Sequence, residues 1–166
     1  MRTAVALGSN LGDRLDNLRA ARQRIVEFHD VQPPILSSSI CETEPVDCEP
    51  GALKFFNTVL EFDYEGDPVQ LLERLLRIEE SLGRKHDHRK NISRTIDIDL
   101  LYWGDRRIHN KRLQLPHSQM DQRRFVLQPL ADIRPELVLP GQTRTVRELL
   151  AELKEPGDVI RLLDAW

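Results

Sequence analysis

Two stretches of helical periodicity, each set between runs that alternate like strands, constrain this chain more than any other feature. The first strand signal is Thr3 to Leu7, apolar and partly β-branched, ending at the turn-prone Gly8-Ser9-Asn10. Asp13 then stands as an N-cap with Asp16 three residues on, and Leu15, Leu18, Ala21, Ile25 and Phe28 follow at helical spacing. Pro33-Pro34 forbids continuation of that helix. Ile35 to Thr43 reads as a second strand and Glu44 to Gly51, with its prolines, as a loop. In Phe55 to Tyr64, Phe56, Thr58, Leu60 and Phe62 share one face while Phe55, Asn57 and Val59 share the other. Asp67-Pro68 opens the second helix, which Leu71, Leu72, Leu75, Ile78 and Leu82 line and Gly83 closes. A basic loop, Arg84 to Ser93, leads into a fourth strand from Arg94 to Trp103.

The order β-α-β-β-α-β makes this an α+β chain on the split βαβ, ferredoxin-like plan. Beyond it, Pro116, Pro129, Pro135 and Pro140 divide the sequence into short pieces, and Thr145 with Glu148 forms a capping-box signature before Leu149, Leu150 and Leu153. Without an internal repeat, low-complexity tract or linker, residues 1–166 read as a single domain with a C-terminal elaboration of short strands and helices.

The 24 Lys and Arg against 27 Asp and Glu give a net charge of -3, which argues against a general binder of nucleic acid or membrane surface. No apolar run approaches the roughly 20 residues of a membrane span, and the N-terminal apolar stretch is shorter than that of a signal peptide. Cys41 and Cys48 form no metal pattern, and nothing else suggests secretion. The expectation is a soluble cytoplasmic protein.

The chemistry concentrates in Arg94-Thr95-Ile96-Asp97-Ile98-Asp99-Leu100-Leu101. Alternation puts Ile96, Ile98 and Leu100 on one face and Thr95, Asp97 and Asp99 on the other. Two carboxylates at i and i+2 stand roughly 6–7 Å apart at the backbone, aimed the same way. They repel and raise each other's pKa unless cations neutralise them, and Mg²⁺ characteristically takes one or two carboxylates, completing its shell with water and phosphates. An isolated Asp-x-Asp is more simply a solvated strand face or a guard against edge pairing. Here, however, Arg84, Lys85, Arg89, Lys90 and Arg94, opposed only by Asp87 and joined by His86 and His88, feed directly into it. Metal on one side and guanidinium forks on the other suit a bound polyphosphate. The plainer reading of the basic run is a solvent-exposed loop, although a mobile one would also suit a lid over a triphosphate.

Other signals are weaker singly. Gly8-Ser9-Asn10-Leu11-Gly12 sits at a strand-to-helix turn, where amides can bind anions, but it lacks the P-loop ending and fails the dinucleotide fingerprint, so a tight turn is the simpler reading. Asn57 shares a face with Phe55; a carboxamide can pair with a heterocyclic amide edge and an aromatic can stack on its plane, though such a pair is commonly core packing. Pro116-His117 and Arg123-Arg124-Phe125 add cationic and aromatic groups. Nothing resembles a nucleophile with an adjacent base or a Cys/His zinc set.

Taken in order, Gly8-Ser9-Asn10-Leu11-Gly12-Asp13, Glu42-Thr43-Glu44-Pro45, Phe55-Phe56-Asn57, Ile78-Glu79 through Leu82-Gly83-Arg84, Arg94 through Leu100, Leu115-Pro116-His117, Arg123 through Phe125 and Pro129-Leu130 resemble the 6-hydroxymethyl-7,8-dihydropterin pyrophosphokinases, over about residues 4 to 140. The resemblance implies a ferredoxin-like core in an α/β/α sandwich and transfer of the terminal diphosphate of ATP to the pterin's hydroxymethyl oxygen, releasing AMP, in folate biosynthesis. It implies that Asp97 and Asp99 bind two Mg²⁺ ions, with Asp97 also assisting deprotonation of the hydroxyl, and that Arg84 and Arg94 grip phosphate and act in catalysis with them. By the same resemblance Glu79, Ile98, Arg112, His117 and Arg123 join Arg84 and Arg94 at ATP. Phe55 and Phe125 sandwich the pterin, Asn57 reads its pyrimidinone edge, and Thr43, Pro45, Val46 and Asp97 complete that subsite. Mobile catalytic loops would correspond to roughly 44–52 and 84–93. The implied protein is a cytoplasmic monomer that uses small molecules, with ATP as co-substrate, and neither nucleic acid nor membrane.

Two positions depart from the pattern: Asn91 stands where some members carry tryptophan, and Cys41 where tyrosine is common. Neither touches the metal or phosphate residues. A metal-dependent nucleotidyl transferase or cyclase on the same sheet is the competing enzyme reading, but it leaves Phe55, Asn57 and Phe125 without a substrate. An RNA-binding module would need exposed aromatics on the central strands, and aromatics are only 5% of this chain.

Overall fold

Aspartates set where the two long helices begin. In the computed structural model, which describes residues 1–45, 48–83, 93–154 and 159–166, the Asp13 side chain accepts the Asp16 N–H at the start of α1 (Arg14–Val26). Asp67 accepts from Val69 and Gln70, with Pro68 in the first turn of α2 (Pro68–Ser81). Gly83, at φ +99°, lets the chain turn away after Leu82. The strands are β1 (Arg2–Ser9), β2 (Val31–Ser37), β3 (Ile40–Thr43), β4 (Phe55–Tyr64), β5 (Asp97–Trp103) and, after a small hairpin of β6 (Ile108–His109) with β7 (Gln114–Leu115), β8 (Val159–Leu163). Helices α3 (Arg124–Ile133) and α4 (Val146–Glu152) lie in the last third.

The main sheet is mixed-order but antiparallel, running β5-β1-β4-β3-β8, with β2 also on β4. Alternation along β1, β4 and β5 produces two buried faces. On one, Val5, Leu7, Leu60, Phe62, Ile98 and Leu100 meet Leu18, Ala21 and Ile25 of α1 and Leu71, Leu75 and Ile78 of α2. On the other, Ala4, Val59 and Leu101 meet Val126, Leu127 and Leu130 of α3 and Val146 of α4. The result is an α/β protein with an antiparallel sheet packed between helices, and no helix among the described residues is long and apolar enough to cross a membrane.

Four details differ from the sequence expectation, each for a physical reason. The expected strand 35–43 is two strands, because the Asp132 carboxylate on α3 takes the Ser39 N–H (2.9 Å) and hydroxyl (2.8 Å) out of the ladder. Pro33 and Pro34 lie inside β2 and not before it; they are exposed and fall in the register shift between Gln32 and Leu36, where no ladder N–H is required. Pro129 does not break the C-terminal third but sits within α3, buried beside Val126, Leu127 and Leu130, so packing of the helix face overrides propensity. Finally, β5 begins at Asp97 and not Arg94, and a register shift opposite Ala4 and Val5 turns Tyr102 onto the α3 face. The Thr145–Glu148 capping box forms reciprocally, Glu148 N–H to Thr145 Oγ1 and Thr145 N–H to Glu148 Oε2.

Candidate functional site

The registers of four strands bring the candidate residues into one row. Asp97 of β5 pairs with Gly8 of β1, Gly8 pairs with Asn57 of β4, and Asn57 pairs with Cys41 of β3. Directly opposed residues point to the same face, so Asp97, Gly8, Asn57 and Cys41 lie side by side on the face that α3 covers at its other end. With neighbouring strands ~4.8 Å apart, Asp97 and Asn57 are about 10 Å apart at the backbone. Gly8, without a side chain, lets the Asn57 and Phe55 side chains approach the backbone of β1 closely. A Cβ at Gly8 would lie 2.9 Å from Asn57 Oδ1 and 3.6 Å from Phe55 Cδ1. Sequence reading of the Gly8 motif as a tight turn missed this; the signal available was the glycine within a strand pattern, a mark of close approach.

On the acidic side, Arg94 Nη1 donates to Asp97 Oδ1 at 2.8 Å, and Arg123 Nη1 stands 4.0 Å from Asp99 Oδ2. Burial in the cleft, then the neighbouring Asp97 carboxylate, push the Asp99 carboxyl above its ordinary range, with His117, Arg123 and Arg94 acting against the shift. The spacing, direction and mutual repulsion of this pair fit a hard divalent ion. Among the described residues no group of three or more potential protein ligands occurs.

Glu79 is buried on α2 and its Oε1 accepts the Ile98 N–H at 2.6 Å, on the outer edge of β5 between the two aspartates. The structure therefore puts Glu79 behind the carboxylate pair and Ile98 in the core on the opposite face. His117 follows β7; its N–H donates to the Leu101 carbonyl (2.8 Å) and its Nδ1 accepts from the Gln119 N–H (3.3 Å), which leaves the proton of the neutral ring on Nε2. Arg123 also lies over the Phe125 ring, 5.4 Å from its centroid. Arg112 is exposed and engaged by Glu73 of α2 at 2.6 Å, so the structure does not bring it to the aspartates.

On the other side of Gly8, Asn57 is buried and its Nδ2 donates to Thr43 Oγ1 at 2.6 Å. Phe55 and Phe125 are half-buried, the first at the start of β4 and the second in the first turn of α3, where it packs against the Val126–Leu130 cluster. Pro45 is half-buried at the exit of β3. Cys41 is buried beside Asn57, burial pushes its thiol up, and both cysteines are free. Val46, Arg84 and Asn91, and most of the second expected loop, lie outside the described residues.

A family model described as 7,8-dihydro-6-hydroxymethylpterin-pyrophosphokinase (HPPK) matches residues 4–135. The 2-amino-4-hydroxy-6-hydroxymethyldihydropteridine pyrophosphokinase of Methylorubrum extorquens is 36% identical over 156 residues, 94% of this chain and 96% of that one. The Haemophilus influenzae protein of the same name is 34% identical over 151 residues, 91% and 92% of the two chains. Among solved structures, wild-type Plasmodium falciparum HPPK-DHPS with SDX-DHP matches at a TM-score of 0.71 and 16% identity, over 91% of this chain and 44% of that one. That last likeness concerns the fold.

Proposed function

Because this chain belongs to the 7,8-dihydro-6-hydroxymethylpterin-pyrophosphokinase family, we propose that its two substrates meet over Gly8, between Asp97 and Asn57. The activity itself is that of an ATP-dependent diphosphotransferase: the diphosphate of ATP moves to the hydroxymethyl group of the dihydropterin, in folate biosynthesis. The observation that carries the placement is the row Asp97–Gly8–Asn57, with a carboxylate at one end, a carboxamide at the other and about 10 Å of backbone separation between them, spanned by a residue without a side chain.

In this reading the pterin lies on the Asn57 side. Asn57 presents its amide to the pyrimidinone edge from a position fixed by Thr43, Phe55 and Phe125 supply aromatic faces, and Pro45 and Val46 border the ring. The triphosphate lies on the Asp97 side. Arg94 and Arg123 flank the carboxylates and take phosphate oxygens, joined by Arg84 and by His117 through Nε2. Asp97 and Asp99 hold Mg²⁺, which we take to be two ions; when bound, the metal screens the phosphate charge and polarises the attacked phosphorus. Asp97, closer to the pterin side of the row, accepts the hydroxyl proton as that oxygen attacks. Glu79 acts through Ile98, fixing the edge of β5 so that both aspartates keep their aim. Arg112, engaged by Glu73, is the nucleotide residue that the geometry supports least. The site has no covalent nucleophile, so its work is positioning and electrostatics.

The strand order supports the finer ferredoxin-like description of residues 1–166 as one domain, with β2 and β3 together acting as the second strand of the βαββαβ unit. The same reading makes the enzyme a cytoplasmic monomer that acts on small molecules and on neither nucleic acid nor membrane, for which the net charge of -3 is the supporting observation.

Separate titrations with a non-hydrolysable ATP analogue and with the pterin test the division of the site. Asn57→Ala should weaken pterin binding at least tenfold and leave the nucleotide within about threefold, on the cost of an unpaired polar edge. An equal loss of both affinities would overturn it.

A further inference from the structure

The row over Gly8 explains the residues beneath the substrates but not the buried amide one turn of chain beyond it. Asn10 is 1% exposed and follows β1 directly. Its Oδ1 accepts the Arg94 N–H at 2.7 Å, and its own N–H donates to the Arg94 carbonyl at 3.1 Å, closing a two-bond ring. Its Nδ2 donates to the Leu53 carbonyl at 3.1 Å and to Ser93 Oγ at 3.2 Å. Leu53 lies two residues before Phe55, and Arg94 three before Asp97. A single carboxamide therefore ties together the segments that enter β4 and β5. Outside it, both Glu49 carboxylate oxygens accept the Ser93 N–H, at 3.1 and 3.2 Å, adding a second, exposed bond between the same two segments.

We infer that Asn10 is a positioning residue that holds the pterin-side segment at Leu53 and the phosphate-side segment at Ser93–Arg94 in one register, with Glu49 as its outer support. This rests on the placement of the two substrates given above. The position demands an acceptor and two donors on one short planar group. An aspartate keeps the shape and the acceptor for Arg94 but loses both donors, setting its charge against the Leu53 carbonyl. Serine is too short to span the two segments. Burial makes each of these losses count, since water cannot take the place of the missing partner.

The test uses the full chain, Asn10→Asp and the milder Ser93→Ala and Glu49→Gln, with amide hydrogen exchange and steady-state kinetics. Asn10→Asp should speed exchange at least tenfold in both 48–57 and 93–99 while α2 stays protected, lower kcat about tenfold, and raise the KM for ATP and for the pterin together. Ser93→Ala should speed exchange by a smaller factor in the same two segments, and Glu49→Gln by the smallest. Exchange rising in only one segment, or only one KM moving, would overturn the proposal. So would uniform loss of protection with a matching fall in Tm, the mark of a merely structural residue. If Asn10→Asp fails to fold, wild-type exchange in Ser93→Ala and Glu49→Gln together has the same effect. The substrate placement is checked apart from this by Asn57→Ala: an unchanged pterin KM there removes the placement, whatever the exchange data show.

Discussion

Asp99 and Glu61 lie on one face of the same sheet, at opposite ends, and their carboxylates meet opposite surroundings. Glu61 of β4 is 1% exposed and accepts hydrogen bonds from Arg2 Nε (2.9 Å), Arg134 Nε (2.8 Å) and the Tyr102 hydroxyl. Burial would push its carboxyl up, but the bonds from Arg134, Tyr102 and Arg2 hold it below the ordinary range. Asp99 is about a third exposed at its side chain, with Arg123 the nearest guanidinium among the described residues at 4.0 Å; burial in the cleft, then the Asp97 carboxylate two residues away, push it up. One end of the sheet has satisfied its charge internally and serves the fold. The other holds a carboxylate pair that the described residues do not satisfy in this way, the kind of perturbed pair that the proposed binding site would use.

The largest effect expected from this contrast is on stability. Glu61→Gln keeps the shape but strands two guanidiniums over a neutral amide, and should cost roughly 3 kcal/mol, read from urea unfolding, with turnover of the folded enzyme within a factor of two. A loss below about 1 kcal/mol would mean that the network is no better than a surface pair. At the other end, Asp97→Asn or Asp99→Asn should cut pterin-dependent AMP release by about a hundredfold or more, while Tm stays level or rises in Asp99→Asn, where like charge is removed, and falls by no more than a surface pair is worth in Asp97→Asn, which also loses its bond to Arg94. Near-normal Mg²⁺-dependent turnover in both variants would erase the contrast.

Gly8→Ala is smaller and more selective. Its methyl would meet Asn57 Oδ1 at 2.9 Å, so the pterin KM should rise about tenfold, on the order of 1.4 kcal/mol, with little change for ATP. Acid sharpens the comparison from the Glu61 side. Its folded pKa is lowered, so the folded state holds fewer protons than the unfolded one, and its stabilisation is full above the ordinary value of 4.5 and is lost as pH falls below that. Acid unfolding of Glu61→Gln should therefore be shallower than that of the parent below pH 4.5. The smallest effect belongs far from either carboxylate: Thr145→Ala removes the capping box and should cost about 1 kcal/mol with no change in KM.

Much of this molecule is legible in its sequence. The caps at Asp13, Asp67 and Thr145 and the inward residues of α1 and α2 follow from local rules, because a helix start and an apolar stripe depend on residues within a few positions of each other. Alternation also separated Asp97 and Asp99 from Ile98, and Asn57 from Leu60. What failed locally failed where a distant group intervened. Asp132 splits the expected second strand at Ser39, the packing of α3 overrides Pro129, and β8 finds its place only because β3 offers an open edge. The bond from the Ile98 N–H to Glu79, expected from the family position only as a residue of the nucleotide side, joins α2 to β5 across 19 residues and has no local signal. Arg112 is engaged by Glu73 at an exposed flank.

The sequence by itself determined the order of elements, the faces of the main strands, the carboxylate pair and the family, since each is written in spacing and residue type along the chain. Only the tertiary structure decided which strands lie beside which. That choice placed Gly8 between Asp97 and Asn57, set Asn10 where it joins the entries to β4 and β5, and gave Glu61 three donors while leaving Asp99 half-buried beside a second carboxylate. The physical reason is register: strand pairing brings together residues that no local period relates, and a shift of one position would carry every one of them to the other face.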